Sequence, residues 1–187
     1  LLKNNEIIGI VTHCSYSCAN MATRIDLSAF AAARNDLCPT FNDDCASGTL
    51  VTDGAYTGTT VGMSQDGSAT CGSSSTTADV WYQYTTVGTG TLTVSTCTAA
   101  SYNTVLSVHT GCPGTTGNQI GCNDDNTAEC GAGSTRSSLT VSVTAGNTYF
   151  IRVSGYNGAT GTFTLTVSGP PDTTPPTPTP MTFAVPP

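Results

Sequence analysis

Thr91-Leu92-Thr93-Val94-Ser95, Ser138-Leu139-Thr140-Val141-Ser142-Val143 and Thr162-Phe163-Thr164-Leu165-Thr166-Val167 alternate apolar and hydroxyl side chains without a break. Successive side chains on a strand point to opposite faces, so period-two alternation predicts strands with one buried and one wet face. Extending the reading outward gives candidate strands at residues 49–52, 57–63, 79–85, 91–97, 104–110, 137–144, 148–154 and 162–168. The breaks between them hold turn chemistry: Asp53-Gly54, Asp66-Gly67, Gly88-Thr89-Gly90, Ala145-Gly146-Asn147 and Asn157-Gly158. Alternation assigns Leu92, Val94, Leu106, Val108, Leu139, Val141, Val143, Tyr149, Ile151, Val153, Phe163, Leu165 and Val167 to the core. Eight such strands suffice for two packed sheets, so the expected fold is an all-β, jelly-roll-like antiparallel β-sandwich.

Composition narrows the setting. Of 187 residues only 9% are charged, the net charge is −7 at pH 7, and Lys3 is the single lysine. No row of phosphates could be neutralised by such a chain, which excludes nucleic acid as a partner. The same balance argues against an anionic membrane surface. No apolar run is long enough to cross a bilayer as a helix. The chain begins at Leu1 rather than Met and has no basic-then-apolar leader, which reads as a processed or partial product.

The chain contains nine cysteines, and they point to an oxidising compartment, extracellular or at the cell surface. Zinc is the competing explanation. It is disfavoured because no C-x-x-C pair occurs and His13 and His109 are the only histidines.

The two ends differ from the middle. Residues 1–34 form an expected N-terminal extension. They hold the densest aliphatic run, Ile7-Ile8-Gly9-Ile10-Val11, then Cys14 and Cys18, then an alanine-rich stretch at 22–34 whose Ile25, Leu27, Phe30 and Ala31 suggest a short helix. The sandwich is expected over 35–169. Residues 170–187 form a Pro/Thr-rich tail that cannot enter a sheet interior and favours polyproline II, a spacer reaching roughly 35 Å.

Four pieces carry a family resemblance: Asn42-Asp43-Asp44-Cys45-Ala46, Asp79-Val80-Trp81-Tyr82, Tyr102-Asn103-Thr104-Val105-Leu106-Ser107-Val108 and Cys122-Asn123-Asp124-Asp125. The closing Tyr149-Phe150-Ile151-Arg152-Val153 and Gly161-Thr162-Phe163-Thr164-Leu165 fit as well. With them, residues 42–167 resemble the bacterial pre-peptidase C-terminal type domain, in the cysteine-rich form of large secreted or surface proteins. The resemblance implies a jelly-roll-like sandwich without catalytic residues of its own. In that family the domain accompanies secreted enzymes, binds matrix or carbohydrate, or decorates surface proteins. Asn103 and His109 depart from the Asp and Tyr expected there, and residues 1–34 fall outside it.

Bridges are expected between Cys122 and Cys130, Cys97 and Cys112, and Cys45 and Cys71, each closing a loop between neighbouring strands. Cys14, Cys18 and Cys38 remain, so one thiol is odd. His109 alternates onto the face opposite Leu106 and Val108 and is expected in solvent. His13 precedes Cys14. No G-x-S-x-G turn or H-E-x-x-H helix accompanies either histidine, so no enzyme is expected, although the pairs Asp43/Asp44 and Asp124/Asp125 leave carboxylate chemistry open. Asn123, Asp124, Asp125 and Glu129, with Asn126, supply hard oxygens for a calcium ion; the competing reading is a turn bonded to its own backbone. No other cofactor is expected. Thr173, Thr174, Thr177 and Thr179 suit O-glycosylation, as in a glycoprotein, while a bare linker is the alternative and no N-x-S/T sequon occurs.

With eight strands closing the sandwich, Ile7, Ile8, Ile10 and Val11 are left over. They form this domain's own edge strand or are donated to a sheet edge of the next copy; Met181–Val185 is a second candidate for the donated piece. A head-to-tail contact of that kind propagates as a filament. The expected function is therefore a structural or adhesive extracellular protein whose partners are copies of itself. The alternative is a carbohydrate- or matrix-binding accessory module of a secreted hydrolase.

Overall fold

The structure, a computed structural model, describes residues 42–173 and two short strands near the N-terminus. The chain divides into two units, Leu1–Phe41 and Asn42–Pro187. In the first, β1 (Leu2–Lys3) pairs antiparallel with β2 (Glu6–Ile7). Ile7 thus belongs to a local hairpin. Ile8, Ile10, Val11, the helix expected at 22–34 and Cys14, Cys18 and Cys38 lie outside the described residues, as do Thr174, Thr177, Thr179 and Met181–Val185.

The second unit is the expected sandwich. One sheet orders β3 (Thr49–Val51), β5 (Asp79–Thr85), β10 (Thr148–Gly155), β7 (Thr104–His109) and β8 (Gln119–Asn123). The other orders β4 (Gly54–Thr59), β11 (Thr162–Ser168), β6 (Gly90–Ala100) and β9 (Ser138–Val143). All neighbours are antiparallel except β3, which runs parallel to β5. Ile151 sits opposite Tyr82 and Val108, and with Val80, Leu106 and Val153 it packs against Leu92, Val94, Val141, Leu165 and Val167 of the facing sheet. All of the core assignments made from alternation join this cluster, Leu139 from its partly buried margin.

Three expectations need correction. Strand β8 was not among the eight: Gln119-Ile120-Gly121-Cys122-Asn123 has one large aliphatic residue and reads as turn sequence. It forms because β7 offers it an edge, and Gly121 lets it pass close to Val141 and Leu139 of the facing sheet. The strand expected at 57–63 runs earlier, over Gly54–Thr59.

The second correction concerns the outer face of the five-stranded sheet, which is not wet. Every residue of β7 is buried, and His109, Arg152 and Trp81 have no exposed surface. The β4–β5 loop (residues 60–78) and the β7–β8 loop (residues 110–118) lie across this face. The two loops join where Ser68 N–H donates to Gly114 O (3.0 Å), directly over the Trp81 indole. A methyl group on Gly114 would collide with that ring, so Gly114→Ala is expected to cost about 1–3 kcal/mol by overpacking. Thermal unfolding checks this.

The third correction is the disulfide pattern. The six cysteines of this unit are all bridged, but as Cys45–Cys112, Cys71–Cys122 and Cys97–Cys130. Pairing by proximity along the chain fails because the loops fold back. Residue 71, in the covering loop, is laid over β8, which carries Cys122. Cys45, just before β3, meets the loop after β7.

Candidate functional site

Two polar constellations and one surface cleft compete as sites. The first lies under the covering loops. Arg152 stands between Trp81 and Ser107 in one cross-strand row. Its Nε donates to Asp79 Oδ2 at 2.6 Å, with both side chains fully buried. Its Nη2 donates to the loop carbonyls of Ser74 (2.8 Å) and Thr77 (3.3 Å). Trp81 Nε1 donates to both Asp66 Oδ1 (2.5 Å) and Asp79 Oδ1 (3.0 Å). Burial pushes the Asp79 carboxyl up to about 7, outweighing the pull of Arg152, and the neighbouring Asp66 adds to the rise.

Beside it, Ser107 Oγ and His109 Nε2 are 2.9 Å apart. His109 Nδ1 lies 3.1 Å from both Thr115 O and Asn118 Oδ1. The Asn118 amide is oriented by donating to Gly111 O and Pro113 O, so both neighbours of Nδ1 are acceptors. The proton is thus assigned to Nδ1, and Nε2 accepts from Ser107. Burial, the largest influence, lowers the His109 pKa and keeps the ring neutral. The order Ser–His–Asn imitates a nucleophile, its base and an orienting group. Yet Ser107 and His109 are buried within the sheet and its loops, and neither lines the two depressions described below. His109 is not in solvent, as alternation alone suggested; the 110–118 loop covers it.

The second constellation is the expected calcium set. Asn123 Oδ1 accepts from Ser138 N (3.1 Å), and its amide donates to Asp125 O (3.4 Å). Asn126 Oδ1 caps the single-turn helix Thr127–Cys130 by accepting from Glu129 N (3.0 Å). The amides are thus engaged by the backbone, and no Cys122–Cys130 bridge pins the turn. Burial, then Asp125, raises the Asp124 pKa. Among the described residues no group of three or more His, Cys, Asp or Glu side chains is placed to hold a metal.

The cleft arises from an irregular strand. The β6–β11 register shifts between Thr164 and Thr166, whose β6 partners are Ala99 and Ser95, so β6 carries extra residues there. Such a bulge re-aims side chains and frees backbone groups. Here it directs Cys97 to Cys130 and leaves Cys97 O to accept from Arg136 Nη1 at 2.5 Å. The disulfide and this bond hold the 130–136 loop beside the end of β6.

Two open depressions meet at this point, one of about 450 Å³ against the loop and one of about 670 Å³ on the outer face of the four-stranded sheet. Both are lined by Ala100, Ser101 and Arg136. The larger also takes in Thr57, Thr98 and Thr164. Thr57 and Thr164 face each other across β4 and β11, and their hydroxyls have no protein partner among the described residues. Neither Thr57 nor Thr164 is expected as a site residue from sequence. Their only signal was the hydroxyl half of the alternation, which marks a solvent face of any sheet.

A family model described as galactose binding domain-like, associated with the type IX secretion system (T9SS), matches residues 41–167. No curated protein matches the chain significantly. Among solved structures, the pre-peptidase C-terminal domain of a collagenase from Bacillus anthracis is similar at 12% identity and a TM-score of 0.43, covering 65% of this chain and 94% of that one. A periplasmic inhibitor of g-type lysozyme from Aeromonas hydrophila is similar at 14% identity and a TM-score of 0.37, covering 64% and 95%. The pre-peptidase C-terminal resemblance noted in the sequence agrees with these matches.

Proposed function

Because residues 41–167 belong to the galactose binding domain-like family, and the chain is an extracellular or cell-surface β-sandwich, we propose that it is a non-catalytic accessory module that binds saccharide in the cleft beside Arg136. The observation that carries this reading is the opposed pair of unpartnered hydroxyls, Thr57 and Thr164, in a solvent-open depression. A sugar presents both donors and acceptors, and threonine hydroxyls meet either. The Arg152 and His109 networks, by contrast, are satisfied internally. A glycan array probed with the full chain is expected to show binding that Thr57→Trp abolishes, since the indole would fill the depression from an exposed edge-strand position. Failure of every glycan to bind, or binding that survives Thr57→Trp, overturns the reading.

A filament subunit is the second reading. It is favoured by the outer edges of β3 and β4, unpaired among the described residues, and by Leu50, 77% exposed on β3. A short edge strand with an exposed leucine is a template for strand addition. On this reading the donated piece is the segment holding Ile7, Ile8, Ile10 and Val11. Electron microscopy of the purified chain decides: fibres lost on deleting residues 1–12 favour the filament, and monomers remove it.

A further inference from the structure

We propose that the cleft selects an acidic saccharide, a uronate-bearing chain whose carboxylate is held by the Arg136 guanidinium. This rests on the saccharide reading of the same cleft and deepens it by naming the ligand class. The other described arginine, Arg152, is fully buried in its ion pair with Asp79. Arg136 is only half-buried and lines both depressions.

In a chain of net charge −7, an arginine beside acidic residues ordinarily finds a carboxylate. Asp125 and Glu129 lie on the same connection between β8 and β9, yet Arg136 forms no ion pair among the described residues. Its guanidinium makes one hydrogen bond, from Nη1 to Cys97 O. A guanidinium has five N–H donors in a planar fork, so four of this one's have no acceptor among the described residues. The bond to Cys97 O, in a strand bulge braced by the Cys97–Cys130 disulfide, anchors one end of the fork beside the cleft. An anchored, unpaired fork matches a carboxylate bidentately, and the hydroxyls of Thr57 and Thr164 suit the sugar ring that carries it.

The bland alternative is that Arg136 only braces the loop through Cys97 O. That role uses one donor of five and needs no cleft. Mutation separates the two roles, because bracing affects stability while carboxylate recognition affects ligand charge preference.

The test is calorimetric titration of the full chain with tetragalacturonate, its methyl ester and a pentaglutamate peptide. The ester removes the charge and keeps the sugar. Tetragalacturonate is expected to bind about ten-fold more tightly than the ester. In Arg136→Gln the two should bind equally, and Arg136→Lys should restore part of the preference. A loop-bracing role alone would lower Tm without changing the acid-to-ester ratio. Equal binding of acid and ester by the native chain, or a preference that persists in Arg136→Gln, overturns the inference and leaves the saccharide reading standing. Pentaglutamate binding as tightly as tetragalacturonate also overturns it, since the site would then read charge alone. If neither saccharide binds, the inference falls, and the saccharide reading falls with it only when the glycan array shows no binding either.

Discussion

Asp79→Ala is expected to lower the unfolding free energy by about 3–5 kcal/mol, the cost of leaving a buried charge without its partner. The carboxylate it removes accepts from Arg152 Nε at 2.6 Å, from Trp81 Nε1 at 3.0 Å and from Gly67 N at 3.3 Å. No water reaches the guanidinium to replace it, because Arg152 has no exposed surface. Urea unfolding should show a lower midpoint with an unchanged slope. Adding Arg152→Met to Asp79→Leu should recover only part of the loss, because the loop carbonyls of Ser74 and Thr77 then lose their donor. Full recovery would show that the covering loop does not depend on Arg152.

The same pair predicts a pH dependence opposite to ordinary acid denaturation. Asp79 titrates near 7 in the fold against 3.8 as an unperturbed carboxyl. Between those values the folded chain binds more protons than the unfolded chain, so this group's contribution falls as pH rises. It is complete below 3.8 and is lost through pH 7. The stability of the native chain relative to Asp79→Asn, which cannot ionise, should therefore shrink from pH 5 to pH 8. A difference that grows with pH would mean that Arg152 outweighs burial.

Removing the Cys45–Cys112 bridge, by Cys45→Ala with Cys112→Ala, is expected to cost about 2–5 kcal/mol. Of the three bridges it spans the greatest separation, 67 residues, and long closed loops confer the most by restricting the unfolded chain. It also ties the start of the sandwich to the loop that covers His109. Cys45 N donates to Asp66 Oδ2 at 2.7 Å, so loss of the bridge should loosen the carboxylate that shares the Trp81 indole N–H. Hydrogen exchange should rise at 42–48 and 110–118 before it rises in the core strands. Unchanged Tm would show that packing over Trp81 holds these loops without the bridge.

The legible part of this protein was whatever local periodicity encodes. Leu92, Val94, Ile151 and Leu165 declared themselves by alternation, and all are fully buried. Alternation names two faces but does not say what lies over the second. On the four-stranded sheet the second face is open and carries Thr57 and Thr164. On the five-stranded sheet the same polar half holds Asp79, Arg152, Ser107 and His109 in the interior. Nothing in the pattern separates the two cases, because the covering loops, residues 60–78 and 110–118, are strand-free stretches with no periodicity to show which face they settle on.

The cleft was illegible for the same reason. Arg136 gains its place only when a bulge in β6 turns Cys97 toward Cys130, a contact between residues 33 positions apart. Asn123 and Asn126 had the composition of calcium ligands, yet their side-chain amides are hydrogen-bonded to nearby backbone, which composition cannot distinguish from coordination.

The sequence by itself determined the class: an all-β sandwich, its hydrophobic core, its disulfide-bonded extracellular character and its family. These follow from period-two patterning, composition and short motifs, all of which act along the chain. Tertiary structure alone decided which cysteines pair, which hydroxyl face is buried, why His109 is neutral and hidden, and where a guanidinium stands without an ion pair among the described residues. Those are contacts across space, and they depend on where the long loops settle against the sheets.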